Sequence, residues 1–251
     1  MSVVKALRPD ALTADQALAV RLTEARERYP EIGAEHLLEA FITREYPGEI
    51  ALVSSFGSEA VVLLHMVSRI DPKTPVIFLN TGKLFGETLR YRDQLQDLLG
   101  LTDIRSIHPH PDDEKSLDPA GNLWRLNPDQ CCHLRKVVPL RRALEPFKAE
   151  ISGRKRFQTR SRAAMEKIEI NEGRLKINPL ADWRLEDLNA YIDRHDLPRH
   201  PLVKDGYLSI GCFPCTQRVA DTADYRSGRW AGTGKDECGI HEPRLIDGEG
   251  I

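Results

Sequence analysis

Glu49–Ile70 reads EIALVSSFGSEAVVLLHMVSRI. Its first half is a short apolar run, IALV, that stops at the small residues Ser54, Ser55, Gly57 and Ser58. Its second half spaces apolar residues at helical intervals. A buried strand, a tight turn of small residues and a helix are the expected elements, in that order. Small residues before a helix leave backbone amides free to face an anion, so Ser54, Ser55 and Gly57 are candidate ligand contacts.

The pattern repeats outward from this stretch. TPVIFLNTG, residues 74–82, reads as a second strand and turn, and GETLRYRDQLQDLLG as the helix after it. DIRSIHP reads as a third strand. Alternation of strand and helix predicts an open parallel sheet with crossover helices, an α/β fold. In such sheets ligands sit beyond the carboxyl ends of the strands. The backbone of Leu79 and the turn at Gly82 are therefore candidates to hold a flat base. On the amino-terminal side, Thr13 and Gln16 form a capping pattern before a first helix, and a second helix is expected over 34–45. On the other side a helix runs from Pro128 through CCHLRKVVPLRRALE, with Pro139 expected to kink it. AEISGR reads as a strand, KIEINEGRLKINPL as a hairpin turning at Asn171–Gly173, and RLEDLNAYIDRHD as a helix. After Val219 the apolar pattern dissolves, and residues 219–251 read as a mobile tail on a 1–218 domain.

The balance of 36 basic against 38 acidic residues gives a net charge of -2 and argues against a nucleic-acid partner. The longest apolar run, AVVLLHMV, is too short to span a bilayer. No secretory leader is recognisable at the start, so a cytoplasmic protein is expected. The sequence leaves oligomeric state open, a homo-oligomer included.

Five cysteines in a reducing compartment call for a chemical role. Cys131 and Cys132 are adjacent, and Cys212 and Cys215 form a Cys-x-x-Cys turn, CFPC. Four thiolates suit zinc or an iron–sulfur cluster. Adjacent cysteines are unusual for zinc, whereas a cubane offers neighbouring irons on one face, so the cluster is favoured. Lys136, four residues after Cys132, shares its helical face. Arg154, Arg156 and Arg162 belong to the basic run GRKRFQTRSR, which follows the strand at 149–154 and suits phosphate or sulfate oxygens. Cys238, in KDECGIH, stands outside both pairs on a polar tail that also carries Arg226, Arg229 and His241. A thiol so placed is a candidate nucleophile.

Several segments together resemble the assimilatory adenylyl-sulfate and phosphoadenylyl-sulfate reductases. They are SSFGSEA, FLNTGKLFGETLRYRDQL, CCHLRKVVPLRRAL, KINPLADW, GCFPCT, SGRW and ECGIH. The resemblance spans nearly the whole chain, and the two cysteine pairs point to the cluster-bearing branch. It implies an adenine-nucleotide α-hydrolase-like fold, like that of the ATP pyrophosphatases. It implies a [4Fe–4S] cluster on Cys131, Cys132, Cys212 and Cys215, Cys238 as nucleophile, and Lys136, Arg226, Arg229 and His241 around the substrate. The implied substrate is adenosine 5'-phosphosulfate, reduced to sulfite and AMP through an S-sulfocysteine. Thioredoxin, or a glutaredoxin-like dithiol donor, is the implied partner. The 3'-phosphorylated nucleotide is the alternative substrate. A tRNA-thiolating enzyme with the same fold and cluster, and a zinc-stabilised module without catalysis, are rivals from other classes. The first lacks its Ser-Gly-Gly-x-Asp-Ser turn here, and the second leaves ECGIH without a purpose.

Overall fold

The computed structural model describes residues 12–219, 225–231, 235 and 237–240. His241 and the rest of the tail lie outside the described residues.

Six strands form one sheet: β1 (Ile50–Val53), β2 (Val76–Leu79), β3 (Ile104–Ile107), β4 (Ala149–Ser152), β5 (Ile168–Asn171) and β6 (Arg174–Ile177). Their order is β3-β2-β1-β4-β6-β5, parallel except for β5, which runs antiparallel to β6. The expected hairpin is present. Its two turn residues, Glu172 and Gly173, have φ of 46° and 77°, the left-handed pair that matches the twist of adjoining strands. The hairpin is not a separate flap, because β6 pairs with β4 and extends the main sheet.

Alternate residues of the central strands feed two cores. Ile50, Leu52, Val76, Phe78, Ala149 and Ile151 join the larger one. It is covered by α1 (Ala14–Arg28), α2 (Ala34–Ala40), α3 (Ala60–Ile70), α4 (Gly86–Leu99) and α9 (Leu185–Arg194). Ala51 and Ile77 face the other way, onto Leu140 and Leu144 of α8 (Val138–Leu144). Beyond β1 that second face turns polar, where Glu150 and Lys176 make a buried cross-strand ion pair at 3.0 Å. Among the described residues no helix is long and apolar enough to cross a membrane.

Two short helices, α5 (Pro111–Leu117) and α6 (Leu123–Leu126), lead into α7 (Pro128–Cys132). The helical segment expected from Pro128 is there, but its irregularity precedes the proline. A wide π turn at His133–Val137 joins α7 to α8 with helical backbone throughout, and it contains Arg135, the residue four before Pro139 whose carbonyl a proline ring crowds.

His200 shows how a buried polar group is accommodated near α4. Its Nδ1 accepts the Leu202 N–H at 3.2 Å, and its Nε2 lies 3.1 Å from Thr88 Oγ1. Burial pushes the imidazole pKa down from 6.5 to about 4. The unfolded chain therefore binds this proton more readily than the folded one. The associated stability is complete above pH 6.5 and is lost as pH falls towards 4. Chemical unfolding across this range should show a loss of ~3 kcal/mol from this group. A His200→Gln variant should show a shallower slope, and an unchanged slope would contradict the assignment.

Candidate active site

The sheet order reverses at β1, with β2 on one side and β4 on the other. Loops leaving the carboxyl ends of these two strands diverge there and open a crevice. One pocket occupies it. Its lining includes Ser54, Ser55, Gly57, Ser58 and Glu59 after β1, and Ser152, Gly153, Arg154 and Lys155 after β4.

The turn after β1 is built unexpectedly. Its left-handed residue is Phe56, with φ 49°, rather than Gly57. That backbone costs ~1–2 kcal/mol for a residue with a side chain. The ring is fully buried and packs edge-on against Phe78 with centroids 5.2 Å apart, and burial of such a ring contributes ~1.5–3 kcal/mol. The burial offsets the strain. Ser54 Oγ accepts the Phe56 N–H at 3.2 Å and so braces the turn. Space at Gly57 is tight, since a Cβ there would meet Ile210 O at 3.2 Å. Glu59, the cap residue of α3, offers no side-chain cap, so the helix's amino end opens towards the pocket.

Beneath the pocket Glu59 and Lys155 form a buried ion pair, and Gln158 Nε2 donates to Glu59 Oε2 at 2.9 Å. Tyr225 lies 3.0 Å from Ser58 Oγ, in the same wall. Sequence reasoning missed Glu59 and Tyr225. Lys155 stood in the basic run, but its partner is 96 residues away.

The described tail residues lie against this crevice. Trp230 N–H donates to Cys215 O at 3.1 Å, Gln217 N–H donates to Gly228 O at 2.8 Å, and with the bridge between Thr216 and Arg229 these tie the segment 225–230 to the turn carrying Cys215. Trp230 is buried, and four cations face its ring. Arg229 is closest, at 4.3 Å from the centroid, with Lys136, Arg226 and Lys235 each at 5.9 Å. Gly211 leaves room for Arg229, because a Cβ there would fall 2.3 Å from its Nη2. Among the described residues no carboxylate pairs with Arg229. Burial first, and then the charges of Arg162 and Arg229, lower the Arg226 pKa to about 10. Cations crowded this closely repel one another until an anion joins them.

Of the residues singled out from sequence, Ser54, Ser55, Gly57, Leu79, Lys136, Arg154, Arg162, Arg226, Arg229 and Cys238 all line this pocket. Gly82 and Arg156 do not. Gly82 belongs to a turn in which its N–H bonds Asn80 Oδ1 at 3.2 Å, and Arg156 bonds Asp182 and the Met165 carbonyl instead. Arg154 and Arg162 line the pocket already paired, with Glu169 and Glu237. The basic run is thus largely neutralised by partners distant in sequence.

Cys131, Cys132, Cys212 and Cys215 line a second, smaller cavity together with Lys83, Trp124, Arg135 and Lys136. None is in a disulfide. Burial, and then the neighbouring thiol of Cys132 with those of Cys212 and Cys215, push the Cys131 thiol up to about 11. Burial opposes ionisation of Cys212 as well. There Lys136, Thr81 and Arg229 outweigh it and hold the thiol below its usual value. Thr81 Oγ1 stands 3.3 Å from the Cys212 sulfur. Arg135, missed from sequence, ties this region down through Thr81 O at 2.9 Å and Asp118 at 2.8 Å. Among the described residues no three His, Cys, Asp or Glu side chains close up around a single-ion site. Lys136 lines both cavities. Burial acts to lower its pKa, but the thiols of Cys212, Cys238 and Cys132 overcome this and keep the ammonium charged.

Comparison with known proteins agrees with this geometry. The phosphoadenosine phosphosulfate reductase domain model matches residues 49–218. The adenosine 5'-phosphosulfate reductase of Chelativorans sp. (strain BNC1) is 48% identical over 96% of this chain and 97% of its own. The enzyme of that name from Mesorhizobium japonicum is 49% identical over 91% of this chain and 90% of its own. Among solved structures, the phosphoadenylyl-sulfate reductase of Candida auris superposes with a TM-score of 0.67 at 24% identity, covering 83% of this chain and 98% of that one. The expected adenine-nucleotide α-hydrolase-like fold is borne out by that likeness. With the segments 49–218 matched and the two relatives aligned over nearly their full lengths, the chain belongs to the phosphoadenosine phosphosulfate reductase family.

Proposed function

We propose that this reductase acts on adenosine 5'-phosphosulfate, releasing sulfite and AMP, with Cys238 as the nucleophile and thioredoxin or a similar dithiol protein as the electron donor. The observation that carries the reading is one pocket lined at once by the β1 turn, the cations Lys136, Arg226 and Arg229, and Cys238. The nucleotide's anionic end fits the crowded cations, and its adenosine fits the strand ends towards Leu79.

In the proposed first step the Cys238 thiolate attacks the sulfuryl sulfur. A cysteine–sulfur bond forms, the bond from sulfur to the phosphate oxygen breaks, and its electron pair leaves with AMP. Lys136, Arg226 and Arg229 stabilise the charge that gathers on the departing phosphate oxygens. A donor dithiol then attacks the Cys238 sulfur and expels sulfite. Its second thiol resolves the mixed disulfide, so the dithiol supplies both electrons. His241 lies outside the described residues; the family resemblance gives it a part in binding the same substrate.

Four thiols around one cavity, free of disulfides and without other donor types, fit a [4Fe–4S] cluster. Cys131 and Cys132 on α7, with Cys212 and Cys215 on the turn at Phe213–Cys215, would hold it. When bound, it would crosslink α7 to that turn and set the local charge beside Lys136.

The unphosphorylated substrate is favoured by the state of the arginine loop. Arg154, Arg156 and Arg162 are each committed to a carboxylate and leave little positive charge for an additional 3'-phosphate.

Sulfite release with thioredoxin is the direct assay. The kcat/KM for adenosine 5'-phosphosulfate should exceed that for its 3'-phosphorylated form by at least about tenfold, ~1.4 kcal/mol of transition-state discrimination. Equal or reversed values would contradict the substrate assignment and leave the Cys238 chemistry standing. Anaerobically purified protein should contain about four iron and four sulfide per chain, as this cluster type requires. Cys212→Ser should lose both iron and activity, whereas stoichiometric zinc without iron would overturn the cluster. Cys238→Ser should keep its iron and bind AMP but release no sulfite.

A further inference from the structure

The tail is fixed on both sides of Cys238 by three anchors of different chemistry. Lys235 pairs with Asp129 of α7 and faces the Trp230 ring. Ile240 packs into the apolar cluster formed by Ala51, Ile77 and α8. Between them Glu237 is buried, with 9% of its surface exposed, and its carboxylate accepts two hydrogen bonds from the Arg162 guanidinium. The Nη2–Oε2 bond is 2.7 Å, Thr159 Oγ1 donates at 3.4 Å, and Arg226 Nη2 stands 3.8 Å off.

A two-point arginine–carboxylate contact fixes orientation as well as distance. This one spans 75 residues and joins the loop after β4 to the residue directly before the nucleophile. Gly239, with φ 81°, turns the chain directly after it. Cys238 is therefore held between an ion pair and a left-handed turn, with its side chain on the pocket wall.

We infer that Glu237 is a positioning residue, whose ion pair with Arg162 seats Cys238 in the pocket. Arg162 serves the tail through this contact rather than the substrate's phosphate. Three of its five N–H groups are committed, two to Glu237 and one on Nη1 to Gln158. Arg226 and Arg229 remain the cations that meet the anion. The kinetic part of the inference rests on the proposed reaction, and the docking part does not.

Two readouts separate this from other roles. The first is labelling of Cys238 by a bulky maleimide in the intact protein, located by peptide mapping, with no substrate present. Glu237→Gln and Arg162→Gln should each accelerate it about tenfold. The double variant should be no faster than either single one, because both remove the same contact. The second is steady-state kinetics, where Glu237→Gln should lower kcat and leave AMP affinity unchanged. The swapped pair Arg162→Glu with Glu237→Arg should recover slow labelling. Thermal melting of each variant distinguishes a released tail from a damaged fold, since a released tail leaves the main transition in place.

Unchanged labelling in a folded Glu237→Gln variant would overturn the inference. So would strictly additive effects in the double variant. A lower KM with unchanged kcat would show instead that Glu237 competes with substrate for Arg162, and would also overturn it. If the wild-type protein releases no sulfite, the proposed reaction fails while the labelling series still decides the clasp.

Discussion

The reversal of strand order at β1 is the constraint on which the rest of the molecule depends. Because β2 lies on one side of β1 and β4 on the other, the loops that leave these strands part company and cannot cover the strand ends. The crevice between them is lined by segments that follow these strands and closed by one brought from further along the chain. Three elements converge on it: the amino end of α3, the basic loop after β4, and the described tail residues between Tyr225 and Ile240. The adjacent cysteines of α7 and the turn at Phe213–Cys215 then sit side by side against it, with Lys136 shared between the two cavities.

Electrostatics decides what the crevice accepts. Desolvated cations are costly, and a site that crowds Lys136, Arg226 and Arg229 around one ring, with Glu237 3.8 Å from Arg226, gains when an anion arrives. The protein limits that cost by two devices. It lays the cations around the face of Trp230, with Arg229 closest at 4.3 Å. It also neutralises the remaining basic residues of the pocket wall, pairing Lys155 with Glu59, Arg154 with Glu169 and Arg162 with Glu237. What is left is a compact patch of positive charge beside one thiol, Cys238, the arrangement on which the proposed reaction rests.

Much of this was legible in the sequence, and the gaps have physical causes. Apolar runs such as IALV and VIFL reveal buried parallel strands, because strands covered on both faces carry few polar residues. The cysteine pairs and the lone Cys238 reveal their grouping through spacing alone. Long-range pairing was invisible. GRKRFQTRSR reads as a phosphate site, but a charge run does not show that Glu169, Asp182 and Glu237 are waiting for its arginines. The turn after β1 reads as a run of small residues, which does not reveal that tertiary burial lets Phe56 adopt a left-handed backbone there. The expected reach of Arg156 and Gly82 into the pocket failed for a related reason, since Asp182 holds Arg156 and the neighbouring Asn80 holds the Gly82 N–H. The tail reads as featureless because its order, where described, comes from contacts with the crevice and from no periodicity of its own.

The central claim is that Cys238 takes the sulfuryl group onto its own sulfur. The most direct test incubates the wild-type protein with adenosine 5'-phosphosulfate and no dithiol, then maps the peptides by mass spectrometry. The account predicts one added SO3 group on the peptide carrying Cys238, together with AMP release that stops after a single turnover per chain. A sulfonate on Cys131, Cys132, Cys212 or Cys215, or AMP released with no sulfonated peptide, would contradict it.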